Sequence, residues 1–309
     1  MKETVWVKIW CFVARAVLPS GQQLAPRLRF VFALPVALFL SMTAAVVRAE
    51  PVFLSDDQMP FDGAFARTAC AVSSPDGVPV SQSAPLGVFQ AADGSRYFAS
   101  DVIMDRHLPL DDLAMPGPLI AVSTGTENRW GEVPAWILGT GPDAGLYQEQ
   151  MLRKGAAIFE PRQAKGQCAE ALWSAEHDAR VAGRGLWSGT APSVRYGSRT
   201  LGRLVEAAGR YVIVEGRIVS VGKTRSTRYL NFGRYWKEDF TATWPADEEA
   251  VFEAHIQRFG QSVDDLGGAA VEIRGTLQIR DGPYIALLRP EQLRLLETKR
   301  AIRDGRNQD

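Results

Sequence analysis

Histidine and cysteine are scarce: the chain of 309 residues has three of each, with no CxxC pair and no Cys/His cluster. That scarcity removes a thioredoxin-like redox motif and a zinc site from consideration. An excess of charge is missing too. Thirty-five Lys and Arg balance 35 Asp and Glu. The molecule as a whole therefore has no pull toward nucleic acid or anionic membrane, and such binding would need a local patch. There is no internal repeat and no low-complexity tract. What remains is an ordinary globular composition, 46% hydrophobic and 23% charged, long enough for two small domains.

The N-terminus departs from this average. Arg27 and Arg29 precede Phe30 to Val47, an uncharged run, and Val47-Arg48-Ala49 offers a small-residue cleavage site. This order predicts a secretory signal over 1–49, a mature chain starting at Glu50, and a periplasmic or secreted protein. The alternative is an uncleaved anchor, with residues 30–47 held in the inner membrane, since the run is at the short end of a span. Val5 to Leu18 is also apolar but holds Lys8 and Arg15, so the true start lies downstream or the n-region is extended. Export removes Cys11 and leaves Cys70 and Cys168 in a compartment that permits disulfides. They form either one disulfide or two separate buried thiols.

Past a lead-in over 50–67, residues 68–125 read as short strands. Ala92-Asp93-Gly94-Ser95 is a turn between strands Leu86–Gln90 and Arg96–Ile103, and Pro116–Pro118 is another before Leu119–Ser123. Val133–Leu138 is a strand, with Pro134 placing it near an edge or a strand start. Helices are predicted over Tyr147 to Gly155 and Gln167 to Ala182. In the second, Cys168, Ala171, Leu172, Ala175 and Ala179 mark one buried face. Strands followed by helices, without βαβ alternation, indicate a small α+β domain. Residues 189–208 read as a connector with a short helix. Strands follow at Tyr211–Val221, Arg228–Phe232 and Phe240–Trp244, then a helix at Asp247–Phe259, then strands at Val271–Ile279 and Tyr284–Leu288. Five strands with a helix before the fourth suit a small barrel of the oligonucleotide/oligosaccharide-binding (OB) kind over 209–297. Residues 298–309 read as a polar tail.

Several stretches carry a resemblance. They are Asn128-Arg129-Trp130-Gly131-Glu132, Ala135-Trp136-Ile137, Tyr147 through Ala157, Ala175-Glu176 through Arg180, and Ala182-Gly183-Arg184-Gly185-Leu186-Trp187-Ser188. Together they resemble the second half of the staphylococcal-nuclease-like (thermonuclease) family, which has a DRYGR-like turn, a helix and a closing AGRGLWS. The resemblance spans residues 68–188. It implies a mainly β, α+β fold: an OB-like five-stranded barrel with packed helices. Active members cut phosphodiesters with calcium held by aspartates, a general-base glutamate and two arginines. A hard cation takes oxygen ligands, and positive groups stabilise the charge that builds on phosphorus.

The matched positions depart from that set. The family's "DG-x-x-V-R-L-x-G-I-D-x-P-E" aligns with Asp93 to Arg106. The first arginine then falls on Phe98, the metal aspartate on Ile103 and the glutamate on Arg106, and the second arginine falls on Glu132. The upstream "GDT" has no counterpart in Pro79–Pro85. A register slip of two would bring Asp101 or Asp105 toward the metal position. Asp101, Asp105, Arg106 and His107 otherwise read as a solvated strand end. A rebuilt site would use Asp101, Asp105, Asp111 and Asp112. Trp130, Trp136, Trp173 and Trp187 read as packing residues. No catalytic residue, metal ligand or cofactor is assigned.

The second unit is similar to accessory OB-like barrels that follow such domains in bacterial proteins. Tyr229-Leu230-Asn231-Phe232-Gly233, Ile273-Arg274-Gly275, Arg280-Asp281-Gly282-Pro283 and Pro290-Glu291-Gln292-Leu293 carry that likeness. One local cluster is a weak nucleic-acid candidate: Lys223, Arg225, Arg228, Tyr229, Arg234, Tyr235, Trp236 and Lys237, in which cations alternate with stacking rings. The bland reading is a solvated hairpin. Three functions compete. The first is a retired nuclease scaffold serving as a binding or assembly module of the cell envelope, with another envelope protein or single-stranded nucleic acid as partner. The second is an active calcium-dependent nuclease with a shifted site. The third is a module for envelope polysaccharide or protein.

Overall fold

The computed structural model describes residues 69–70, 77–104, 113–115, 117–140, 145–189, 194–235 and 237–296, all within one compact unit over 57–309. The expected signal, lead-in and tail lie outside the described residues, as do Asp105, Arg106, His107, Asp111, Asp112 and Trp236. No helix among the described residues is long and apolar enough to cross a membrane.

The first half is a closed five-stranded mixed barrel, compatible with an α+β, OB-like fold. Its strands are β1 (Val78–Ser83), β2 (Val88–Ala91), β3 (Arg96–Ala99), β5 (Leu119–Ser123) and β6 (Glu132–Gly139), closed in the order β1-β2-β3-β6-β5. All pairs are antiparallel except β3 with β6. The β2–β3 turn forms as its residues dictate: Gly94 takes φ 89° and Asp93 Oδ1 accepts the Ser95 N–H. The single strand expected over Arg96–Ile103 is broken, because Asp101 sits at φ 62°. Beyond that break β4 (Val102–Met104) leaves the barrel and pairs with β7 (Ala157–Phe159). Pro134 is close to the start of β6, but β6 is no edge, since β3 and β5 flank it.

Helix α1 (Tyr147–Arg153) is two residues shorter than expected, and α2 (Gly166–Val181) matches expectation to one residue at each end. The anticipated α2 face is buried throughout, with Leu172, Ala175 and Ala179 sealed. Cys168 on that face bonds to Cys70, with Cα atoms 4.4 Å apart. Behind α1, Gly155 and the Gly185 of a short 3-10 turn meet backbone to backbone. The Leu186 N–H donates to Gly155 O at 2.9 Å. Both glycines have positive φ, and a Cβ on either would stand 2.2–2.3 Å from the other segment's carbonyl oxygen. Only glycine fits there.

The second half departs from the single five-stranded barrel expected over 209–297: its described strands form two sheets, of five and four strands. After β8 (Arg195–Gly197) and helix α3 (Leu201–Glu206) come β9 (Tyr211–Arg217) and β10 (Ser220–Lys223), two pieces of the one strand expected there. Next are β11 (Thr227–Asn231), β12 (Thr241–Pro245), helix α4 (Glu249–Gln257), β13 (Ala270–Thr276), β14 (Gln278–Ile279), β15 (Pro283–Ala286) and β16 (Leu293–Leu295). The sheets run β10-β11-β12-β15-β14 and β16-β13-β9-β8, and β12 with β15 is parallel, as β3 is with β6. The connector's β8 therefore joins the sheet of this half. Each half has its own apolar core, around Phe89, Tyr147 and Leu172 in the first and around Trp244, Phe252 and Ile273 in the second.

Candidate functional site

On the first barrel's rim, parallel pairing sets Arg96 of β3 beside Glu132 of β6, and their side chains join at 2.8 Å. The loop before β6 is shaped by Asn128, whose Oδ1 accepts the N–H groups of Trp130 (2.9 Å) and Glu132 (3.0 Å). Its tip presents Trp130, 63% exposed, with the Arg129 guanidinium 4.0 Å from the ring centroid. Trp136 and Trp173 are buried, as packing residues should be, and Trp187 is half-buried; Trp130 is the exception to that expectation. Phe98 is half-buried opposite Pro134, and Ile103 lies on β4 opposite Ile158.

Asp101 is not a solvated strand end. It is 1% exposed, and its Oδ1 accepts the backbone N–H groups of Arg162, Gln163 and Ala164, each at 2.8 Å. Its carbonyl accepts the Glu160 N–H at 2.9 Å. One residue thus braces the whole segment that launches α2. Burial pushes its carboxyl pKa up, against the pull of those N–H groups. Neighbouring Glu160 is also raised, first by burial, and pairs with Arg162 at 2.9 Å. Among the described residues no three His, Cys, Asp or Glu side chains are grouped to hold a metal ion.

The strongest electrostatic feature lies where the halves meet. Glu176 and Arg180 from α2 interlock with Glu272 and Arg274 from β13. Arg274 donates to Glu176 (2.7 and 3.0 Å), to Glu272 (2.8 Å) and to the Phe159 carbonyl (2.7 Å). Arg180 donates to Glu272 at 2.7 Å and pairs with Glu176. Glu176 also accepts the Phe159 N–H at 2.6 Å. Trp173 lies 3.5 Å from Arg274 as a cation–π partner. Glu176, Glu272 and Arg274 are essentially sealed from water. Burial opposes ionisation of Glu272, but Arg180 and Arg274 outweigh it and hold the pKa at about 2. Glu176 is lowered by the same two arginines, again against burial. The sequence does carry one signal of this cluster. Glu272 and Arg274 stand two apart and alternate with Val271 and Ile273, so both charges leave the sheet on the face opposite to those apolar neighbours.

The basic and aromatic cluster of the second half does not form one patch. Arg228 is buried, holding Glu249 through two nitrogens and Asp264 at 2.8 Å. Lys223 lies 3.6 Å from the same Glu249. Arg225 is exposed at the β10–β11 turn, whereas exposed Arg234, Tyr235 and Lys237 lie past the other end of β11. Tyr229 is half-buried between them. Five strand residues span about 17 Å, so the cluster is divided between the two ends of β11.

No protein-family model matches the chain, and no curated protein matches it.

Proposed function

We propose that the chain is an exported, nuclease-like scaffold without phosphodiesterase activity, serving as a binding or assembly module of the cell envelope. The observation that carries this reading is the Arg96–Glu132 ion pair on the barrel rim. By the resemblance, cleaving members keep an arginine where Glu132 stands. Here that position is a carboxylate already paired with Arg96, so it offers a phosphodiester no positive charge and occupies the neighbouring arginine.

The alignment register has its own support. The family motif has glycine where this chain has Asp101, and Asp101 adopts the left-handed φ that glycine favours. In that register Phe98 and Ile103 replace an arginine and a metal aspartate. These side chains do not fit a hard cation. Asp101, which a slipped register would nominate as ligand, already commits Oδ1 to three backbone donors.

The test is cleavage of labelled single-stranded DNA by the purified mature protein across calcium, magnesium and manganese, with Asp101→Asn and Asp105→Asn as controls. The expected result is a rate at background throughout. Loss of one transition-state donor alone lowers rates by about 10²–10³. Metal-dependent cleavage that vanishes in either control would mean the site has been rebuilt and would end this reading.

A further inference from the structure

A recess lies where α3 hands over to β9, lined by Tyr196, Arg203, Glu206, Ala207 and Arg210. It sits in the most one-sided stretch of the second half: from Arg195 to Arg217 there are five arginines against two glutamates. Arg195 pairs with Glu215 at 2.6 Å. Arg203 and Arg210 have no carboxylate partner among the described residues, although Glu206 lines the same recess. Instead both gather on one side chain. The Arg203 guanidinium is 5.5 Å from the Tyr196 ring centroid, and Arg210 Nη1 is 3.5 Å from the Tyr196 hydroxyl.

Tyr196 is 93% buried and belongs to the apolar core of this half. Its ring is fixed, so the two guanidiniums are positioned by a rigid post. Two like charges that share one neutral anchor repel each other, and an anion between them converts that repulsion into attraction. Guanidinium forks match the oxygens of phosphate in pairs, and prior positioning lowers the entropic cost of binding. Five residues line the recess, which suits a single compact group better than a polymer.

We propose that Tyr196, Arg203 and Arg210 form a binding site for a small phosphate-type dianion, with Glu206 setting a preference for ligands that carry a proton or an amine beside the phosphate. The site lies in the second half and is independent of how the first barrel is read.

Inorganic phosphate is the probe, titrated into the mature protein by calorimetry at low salt and followed by amide chemical shifts. The expected result is one site per chain, with the largest shifts over 196–210. Arg203→Ala and Arg210→Ala should each weaken binding about tenfold. Tyr196→Phe, which keeps the core ring, should weaken it less, and Arg225→Ala should leave it unchanged. Glu206→Gln should tighten it. Absence of binding, or equal loss in Arg225→Ala, overturns the site. Tighter binding of oligothymidylate through the same arginines would also overturn it, because the ligand would then be a nucleic acid. Unchanged amide spectra outside the recess in each variant show that folding is intact.

Discussion

At the scale of single residues, two buried charges have opposite roles. Arg274 joins Glu176, Glu272 and the Phe159 carbonyl at once. Arg274→Met leaves two sealed carboxylates with Arg180 as their one shared arginine, and denaturant unfolding should show a loss of about 3–5 kcal/mol. Adding Glu176→Gln should recover part of that loss, which a double-mutant cycle would read as coupling. The same group sets an acid dependence. The folded pKa of Glu272 is depressed to about 2 from an ordinary 4.5, so its contribution is complete above about pH 5 and fades as pH falls toward 2. A stability profile that stays flat across that window would contradict the arrangement. Asp101 is different: its role is to accept N–H groups from a left-handed backbone. Asparagine tolerates that φ and offers one acceptor oxygen. Asp101→Asn should therefore unfold within about 1 kcal/mol of the parent, whereas Asp101→Ala, with three backbone donors orphaned and one of them fully buried, should lose about 2–4 kcal/mol.

At the scale of elements, α2 is held from two sides, by the Cys70–Cys168 bond and by the charges that bind β13. The bond closes a loop with a sequence separation of 98. Cys168→Ser should lower unfolding free energy by about 3–5 kcal/mol in the chain-entropy picture. Adding reductant should abolish the difference between parent and variant. Much of this level was legible in the sequence. Period-four alanines marked the buried face of α2, and Asp93-Gly94 marked the β2–β3 turn. What was not legible depended on distant partners. The break at Asp101 needs the N–H groups of 162–164, some 60 residues on. Arg228 looked like an exposed cation beside aromatics because Glu249 and Asp264, which bury it, come from later elements. Arg274 read as one residue of a strand motif, while its main carboxylate partner on α2 is 98 positions away.

At the scale of the molecule, the two halves keep separate main cores and are joined by a small apolar cluster of Ile158, Val194 and Ile213 and by one set of sealed charges. Each half pairs one carboxylate with one arginine of its own, Glu176 with Arg180 and Glu272 with Arg274, and the bonds that cross between these pairs tie the halves together. Calorimetry of the oxidised mature protein should therefore give a single unfolding transition. In Arg274→Met the transition should broaden or split, as the halves come to melt independently. Two resolved transitions in the parent protein would show that the shared charges do not couple the halves.

The shared charges also constrain inheritance. A lineage that lost the second half would leave Glu176 with Arg180 alone, and one that changed Arg274 first would leave Glu176 and Glu272 sharing that one arginine. Changes at positions 176 and 274 should thus be coupled, each costing less in the presence of the other.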